Sequence, residues 1–214
     1  MGETTDNNPA GASRNHTEEQ ILRAAEAEFL AKGYAGARTT AIAEAAGVTH
    51  AMLHYYFRTK DKLFERILNE KIRLVRDIML FGIGDPATPL HERIATTVER
   101  HFDFLAANPS LPRFMVNEVF GIPERMALVT DQMRLHAPLF LAGLQREIDA
   151  LAAGGRCRRV DARMLLLDII SLNIFAFMAE PIVRTLMGDA YDRERFLAAR
   201  KRENVETIKN KLAL

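Results

Sequence analysis

The chain has one cysteine, Cys157, in 214 residues, which excludes an internal disulfide and a cysteine-rich zinc site. No apolar run approaches the roughly 18 residues that a membrane span needs. Residues 1–16 are polar, with Asp6, Asn7, Asn8, Pro9 and Gly11 and no apolar stretch. They read as a mobile tail rather than a signal peptide, and a cytoplasmic location fits best. The formal net charge is only +1, so there is no bulk electrostatic sign of a polyanionic partner. Alternating strand patterns and internal repeats are also missing. So are a nucleophile elbow, a phosphate-binding glycine loop and a cluster of metal ligands. His101, Glu118 and His136 offer acid–base groups, but no spacing brings them together. No cofactor is expected, and an enzyme is the weaker reading.

Apolar residues make up 48% of the chain, too many for a disordered protein and enough for a sizeable core. Their spacing is helical throughout. Thr17-Glu18-Glu19-Gln20 has the spacing of a capping box, and Ile21, Leu22, Ala25, Phe29 and Leu30 follow it up to the stop at Gly33. A first helix is therefore predicted over about 17–32. Thr39 and Thr40 are candidate caps of a second helix that ends at Ala46. Gly47 supplies the turn, and Thr49 caps a third helix reaching about Phe57. A fourth opens at Lys60 and carries Leu63, Phe64, Ile67, Leu68, Ile72, Val75 and Met79 toward a break at Gly82, Gly84, Pro86 and Pro89.

Longer helices follow. Leu90, Ile94, Val98, Phe102 and Leu105 mark one side of a helix over about 89–107. A shorter one precedes Gly121-Ile122-Pro123, and a long one continues to Gly154-Gly155, bent or interrupted at Pro138. The segment from Met164 to Met178 is apolar on nearly every side, with Asp168, Ser171 and Asn173 as its strongly polar residues. Such a helix must be covered on nearly every side. Paired with the final helix, which carries Phe196, Leu197, Val205, Ile208 and Leu212, and with symmetry copies of both, it forms an expected homodimer interface through the last two helices. The chain is thus predicted to be all-α, with about nine helices. A mobile tail at 1–15 precedes a helix-turn-helix domain at 16–80 that includes the connecting helix. A larger antiparallel helical domain for effector binding and dimerisation occupies 81–214.

The helix after Gly47 carries the chemistry. Helical geometry turns Val48, Leu53 and Phe57 inward and His50, Ala51, His54 and Tyr55 outward. Imidazole and phenol groups can bond phosphates and base edges, and a small Ala51 permits close approach to a thymine methyl. Thr39, Thr40, Thr49, Tyr56 and Lys60 are placed to hold phosphates. Between Arg38 and Arg76, eight cations face the four anions Glu44, Asp61, Glu65 and Glu70, and Arg38, Arg58 and Lys60 flank the reading helix. His50 and His54 are spaced i, i+4, but no third ligand completes a metal site, so none is expected.

In this segment the chain resembles the DNA-binding domain of the tetracycline-repressor (TetR) family of bacterial regulators. The likeness runs from Thr17 to about Leu68 and rests on Ile42-Ala43, Ala46-Gly47-Val48-Thr49, Leu53, Tyr56-Phe57, Lys60 and Leu63. The resemblance implies an all-helical homodimeric regulator, most simply a repressor on a pseudo-palindromic duplex operator, released by a small-molecule effector. It implies DNA contacts at Thr39, Thr49, His50, Ala51, His54, Tyr55, Tyr56 and Lys60. The chain departs from the family at Arg38, where a small hydroxyl residue is usual, at Ala51 in place of glycine, and at His54 in place of tyrosine. Past Phe81 the likeness is one of layout. Candidates to line a largely apolar effector pocket are Phe102, Asn117, Met126, Met133, His136, Phe140, Asn173 and Phe175. The competing reading is a helical small-molecule enzyme, or a ligand-binding protein without DNA binding.

Overall fold

The computed structural model describes residues 9–83, 87–134 and 136–213, without the side chains of 9–14 and 80–82. Every regular element among them is helical. Eleven α-helices form where about nine were expected. They are α1 (Pro9–Gly36), α2 (Thr39–Ala45), α3 (His50–Phe57), α4 (Lys60–Ile83), α5 (Leu90–Ala107), α6 (Leu111–Met115), α7 (Pro123–Arg134), α8 (Ala137–Ala153), α9 (Ala162–Met178), α10 (Glu180–Met187) and α11 (Arg193–Leu212). Prolines explain the surplus. Pro138 and Pro181 each sit in the first turn of a helix, α8 and α10. The missing amide hydrogen costs nothing there, so each proline starts a new helix instead of bending an old one. No single helix is long and apolar enough to cross a membrane among the described residues.

The chain divides into two compact units, Met1–Glu70 and Lys71–Leu214. The division falls inside α4 rather than at the expected 80/81. Helix α4 runs on through Gly82 to Ile83, and the expected breakers Gly84 and Pro86 lie outside the described residues. At the other end, α1 starts at Pro9, so Thr17 lies inside the helix rather than at its start. The part of the expected tail at 1–8 is outside the described residues.

In the first unit, Ile21, Ala25 and Phe29 of α1 are buried with Ile42, Leu53, Phe57, Leu63, Phe64 and Leu68. Each large side chain so buried contributes about 1.5–3 kcal/mol. Gly33 breaks α1 with φ 68°. This swings Tyr34 onto Phe29 (centroids 6.1 Å apart) and edge-on to Phe64 at 5.2 Å. Gly47 has φ 67° with open space around the missing side chain, so its turn needs glycine for backbone reasons alone.

In the second unit, the expected stripe of α5 is buried at all five positions, Leu90, Ile94, Val98, Phe102 and Leu105. Two apolar clusters result. The larger includes Ile94, Val98, Ile148, Leu165, Ile169, Ile208 and Leu212, and the smaller Phe102, Leu105, Ala176, Phe177 and Leu197. On each of α5, α9 and α11 one buried polar residue separates them: His101, Asn173 and Asn204. Asn173 Nδ2 donates to the Val98 carbonyl at 2.9 Å and to His101 Nδ1 at 3.2 Å, while Asn204 Nδ2 donates to Asn173 Oδ1 at 2.9 Å. Buried Arg93 of α5 donates to the carbonyl of Ile83, the last residue of α4, and to Glu147 of α8. Helix α6 ends in a π-helical turn, Val116–Phe120, and α7 after it has no buried residue.

Candidate nucleic-acid interface

Helix α3 is positioned by its ends and one face. Thr49 caps it as expected, its hydroxyl accepting from Met52 N at 3.2 Å, a bond worth about 1 kcal/mol. Leu53 and Phe57 are buried and Val48 is half-buried. His50, Ala51, His54 and Tyr55 are all exposed, Tyr55 at 72%. The outward face expected from helical geometry is therefore bare in this unit.

The surrounding polar residues divide. Thr40 and Thr49 are exposed, whereas Thr39, Tyr56 and Lys60 are half-buried. Thr39 does not cap α2. Arg38 holds the extended backbone of the cap position without a side-chain bond, and its amide donates to Glu28 Oε1 of α1 at 3.2 Å. Thr39 is the first helical residue, and its hydroxyl is 3.0 Å from His50 Nε2. That bond ties the start of α2 to the start of α3. His54 Nδ1 lies 2.9 Å from the Arg58 carbonyl oxygen, and the His50 and His54 rings meet edge-to-face at 4.4 Å. Both imidazoles are thus held by the protein, and no group of three potential metal ligands exists among the described residues.

Lys60 is oriented by a residue that sequence reasoning missed. Its ammonium sits 4.6 Å from the centre of the Tyr34 ring, and the Tyr34 hydroxyl donates to Asp61 Oδ1 at 2.5 Å. A tyrosine directly after the Gly33 stop was the available signal. Lys62 and Arg66 pair with Glu65 and Glu18, while Arg38 and Arg58, on either side of α3, are exposed without an ion pair among the described residues. Arg58 has φ 55° and ψ −52°, a γ-turn closed by Thr59 N donating to the Phe57 carbonyl at 2.5 Å. That conformation is strained for any residue with a Cβ.

The pocket candidates in the second unit differ in burial. Phe102 and Asn173 are core residues, 1% and 0% exposed. Asn117, His136 and Phe175 are exposed, and Met126, Met133 and Phe140 are half-buried. An open groove of about 830 Å³ lined by Leu90, His91, Glu147, Leu151, Cys157 and Leu212 includes none of them. His101 is neutral in its site, because burial pushes its imidazole down to about 4. Glu118 pairs with Arg125 at 2.9 Å.

Comparison with known proteins agrees with this layout. Residues 21–67 match the sequence model described as bacterial regulatory proteins, tetR family, and residues 91–208 match a tetracyclin repressor-like C-terminal domain. The HTH-type transcriptional regulator YdgC of Bacillus subtilis is 25% identical over 61% of this chain and 69% of its own length. The HTH-type transcriptional repressor SCO4008 of Streptomyces coelicolor is 32% identical over 46% of this chain, a match spanning about half (47%) of that protein. Among solved structures, the transcriptional regulator FadR from Bacillus subtilis, in complex with stearoyl-CoA, has a TM-score of 0.65 at 19% identity, covering 91% of this chain and 98% of FadR. With both units matched, the chain belongs to the TetR family of transcriptional regulators, and it is a regulator rather than an enzyme.

Proposed function

We propose that the protein is a cytoplasmic repressor that binds a pseudo-palindromic operator as a homodimer and leaves it when a small, largely apolar effector binds. The observation that carries the reading is the bare face of α3. His50, Ala51, His54 and Tyr55 point to solvent over a buried Leu53 and Phe57, and Thr39, Thr40, Thr49, Tyr56 and Lys60 surround them. A pair of such helices reads two major-groove segments about 34–36 Å apart. The partner in the dimer is a second copy. Met164, Leu167 and Phe175 form an exposed stripe on α9, and α10 adds Ile182 and Leu186, the latter 81% exposed. Side chains this apolar in one strip mark an interface. These residues support a contact through α9, one of the two helices expected to form it, extended onto α10, since the outward face of α11 is charged.

The effector side rests on half-buried Met126 and Met133 of α7, a helix that buries nothing completely, and on half-buried Phe140 of α8. Adaptable apolar residues of this kind suit an elongated apolar ligand. Because FadR from Bacillus subtilis binds stearoyl-CoA, long-chain acyl thioesters are the first probes. Release requires that the effector bind the two dimer geometries with different affinity. The test is binding of the purified protein to fragments from its own promoter region. A salt-sensitive complex is expected. Tyr55→Ala changes the preferred sequence, and Lys60→Ala weakens every sequence alike. Absence of any complex, with and without acyl thioester, overturns the reading.

A further inference from the structure

Helix α3 contains no arginine, lysine, asparagine or glutamine, so the side chains that read guanine and adenine through paired hydrogen bonds are missing from it. Its polar outward atoms belong to His50, His54 and Tyr55. His50 Nε2 is engaged with the Thr39 hydroxyl. The Tyr55 hydroxyl is ambivalent, able to donate or accept. His54 is not ambivalent. Its Nδ1 is 2.9 Å from the Arg58 carbonyl oxygen, and a carbonyl only accepts, so Nδ1 carries the hydrogen. In the neutral ring the other nitrogen, Nε2, is then a bare lone pair.

The arrangement is held from both sides. Arg58 N donates back to the His54 carbonyl at 2.9 Å, so the two residues exchange a pair of hydrogen bonds across the end of α3. The His50 ring, edge-to-face at 4.4 Å, keeps His54 on the same exposed face. His54 Nε2 has no partner of its own among the described residues.

Resting on the DNA-binding reading above, we propose that His54 is a specificity-determining residue that accepts a hydrogen bond from the exocyclic amino group of one base, adenine N6 or cytosine N4, in the major groove. A lone pair cannot bond a phosphate oxygen, which also only accepts. Guanine O6 and N7 and thymine O4 are acceptors too, and would face Nε2 lone pair to lone pair. The contacted strand must therefore carry adenine or cytosine at that step.

The full-length protein and its His54→Ala and His54→Lys variants are each used to enrich duplexes from a random-sequence library in slightly alkaline buffer. The contacted step is the one whose preference disappears in His54→Ala. In the enriched duplex that base is then replaced by its analogue without the amino group, purine for adenine or the 4-deamino pyrimidinone for cytosine. Wild-type affinity should fall about fivefold to tenfold, His54→Ala should not respond, and His54→Lys, a pure donor, should prefer guanine there. The proposal is overturned by an analogue that binds as well as the natural base, or by equal weakening of all duplexes in His54→Ala. If His54→Ala binds nothing, the wild-type analogue comparison at each step decides, and no sensitive adenine or cytosine overturns the proposal. If the wild type enriches no duplex, the DNA-binding reading falls and this proposal falls with it.

Discussion

Arg58 and His101 are both held in states that an isolated residue avoids. Arg58 sits at φ 55° in the turn from α3 to α4, and glycine pays no steric penalty there. Arg58→Gly should therefore stabilise the protein by about 1 kcal/mol in denaturant unfolding, while removing an exposed cation and weakening DNA binding. His101 is 1% exposed, and burial lowers its imidazole from 6.5 to about 4. Between these values the unfolded chain takes up a proton that the folded chain refuses. Stability from this residue is complete above about pH 6.5 and falls as pH drops toward 4, by about 3 kcal/mol in all. Unfolding measured across that range should show the slope in the wild type and lose it in His101→Gln. Sequence alone named His101 as an acid–base group and Asn173 separately as a pocket candidate, because residues 72 apart in the chain reveal nothing of their mutual bond. Asn204 went unnamed, although its place four residues before buried Ile208 on α11 was a visible clue.

Helical elements were most legible where one periodic stripe meets one core. The five positions of α5 and the split of α3 into an anchored and a bare face follow directly from spacing. Ends were harder. Thr17 looks like a cap, yet the local signal for a start is weak beside the gain of continuing a helix, and α1 begins at Pro9. Arg38 occupies the cap position of α2 because Glu28, on another helix, accepts its amide hydrogen, a relation that local sequence does not contain. Thr49 is the opposite case, a cap legible from sequence and present. Thr49→Ala should cost about 1 kcal/mol, seen as faster hydrogen exchange at the first amides of α3 with little change in the core of the second unit.

For the whole molecule, composition set the class and periodicity the number of helices to within two prolines. The exposed stripe of α9 was legible as an excess of apolar residues, but its continuation onto α10 was not, because no helix was expected between Met178 and the final helix. Leu167→Glu places a carboxylate in the stripe, and a symmetric contact meets it twice. The proposed dimer should weaken by roughly a hundredfold or more, measured by sedimentation, with the fold intact by circular dichroism. Helix α7 has a different consequence. With no residue fully buried, it can open without breaching the core, so a protease should cut after Arg125 or Arg134 before it cuts within the core helices α5, α9 and α11. A compound that settles against Met126 and Met133 would slow that cut. A helix that buries nothing completely thus provides a gel-based screen for the effector, one that needs neither an operator nor a dimer.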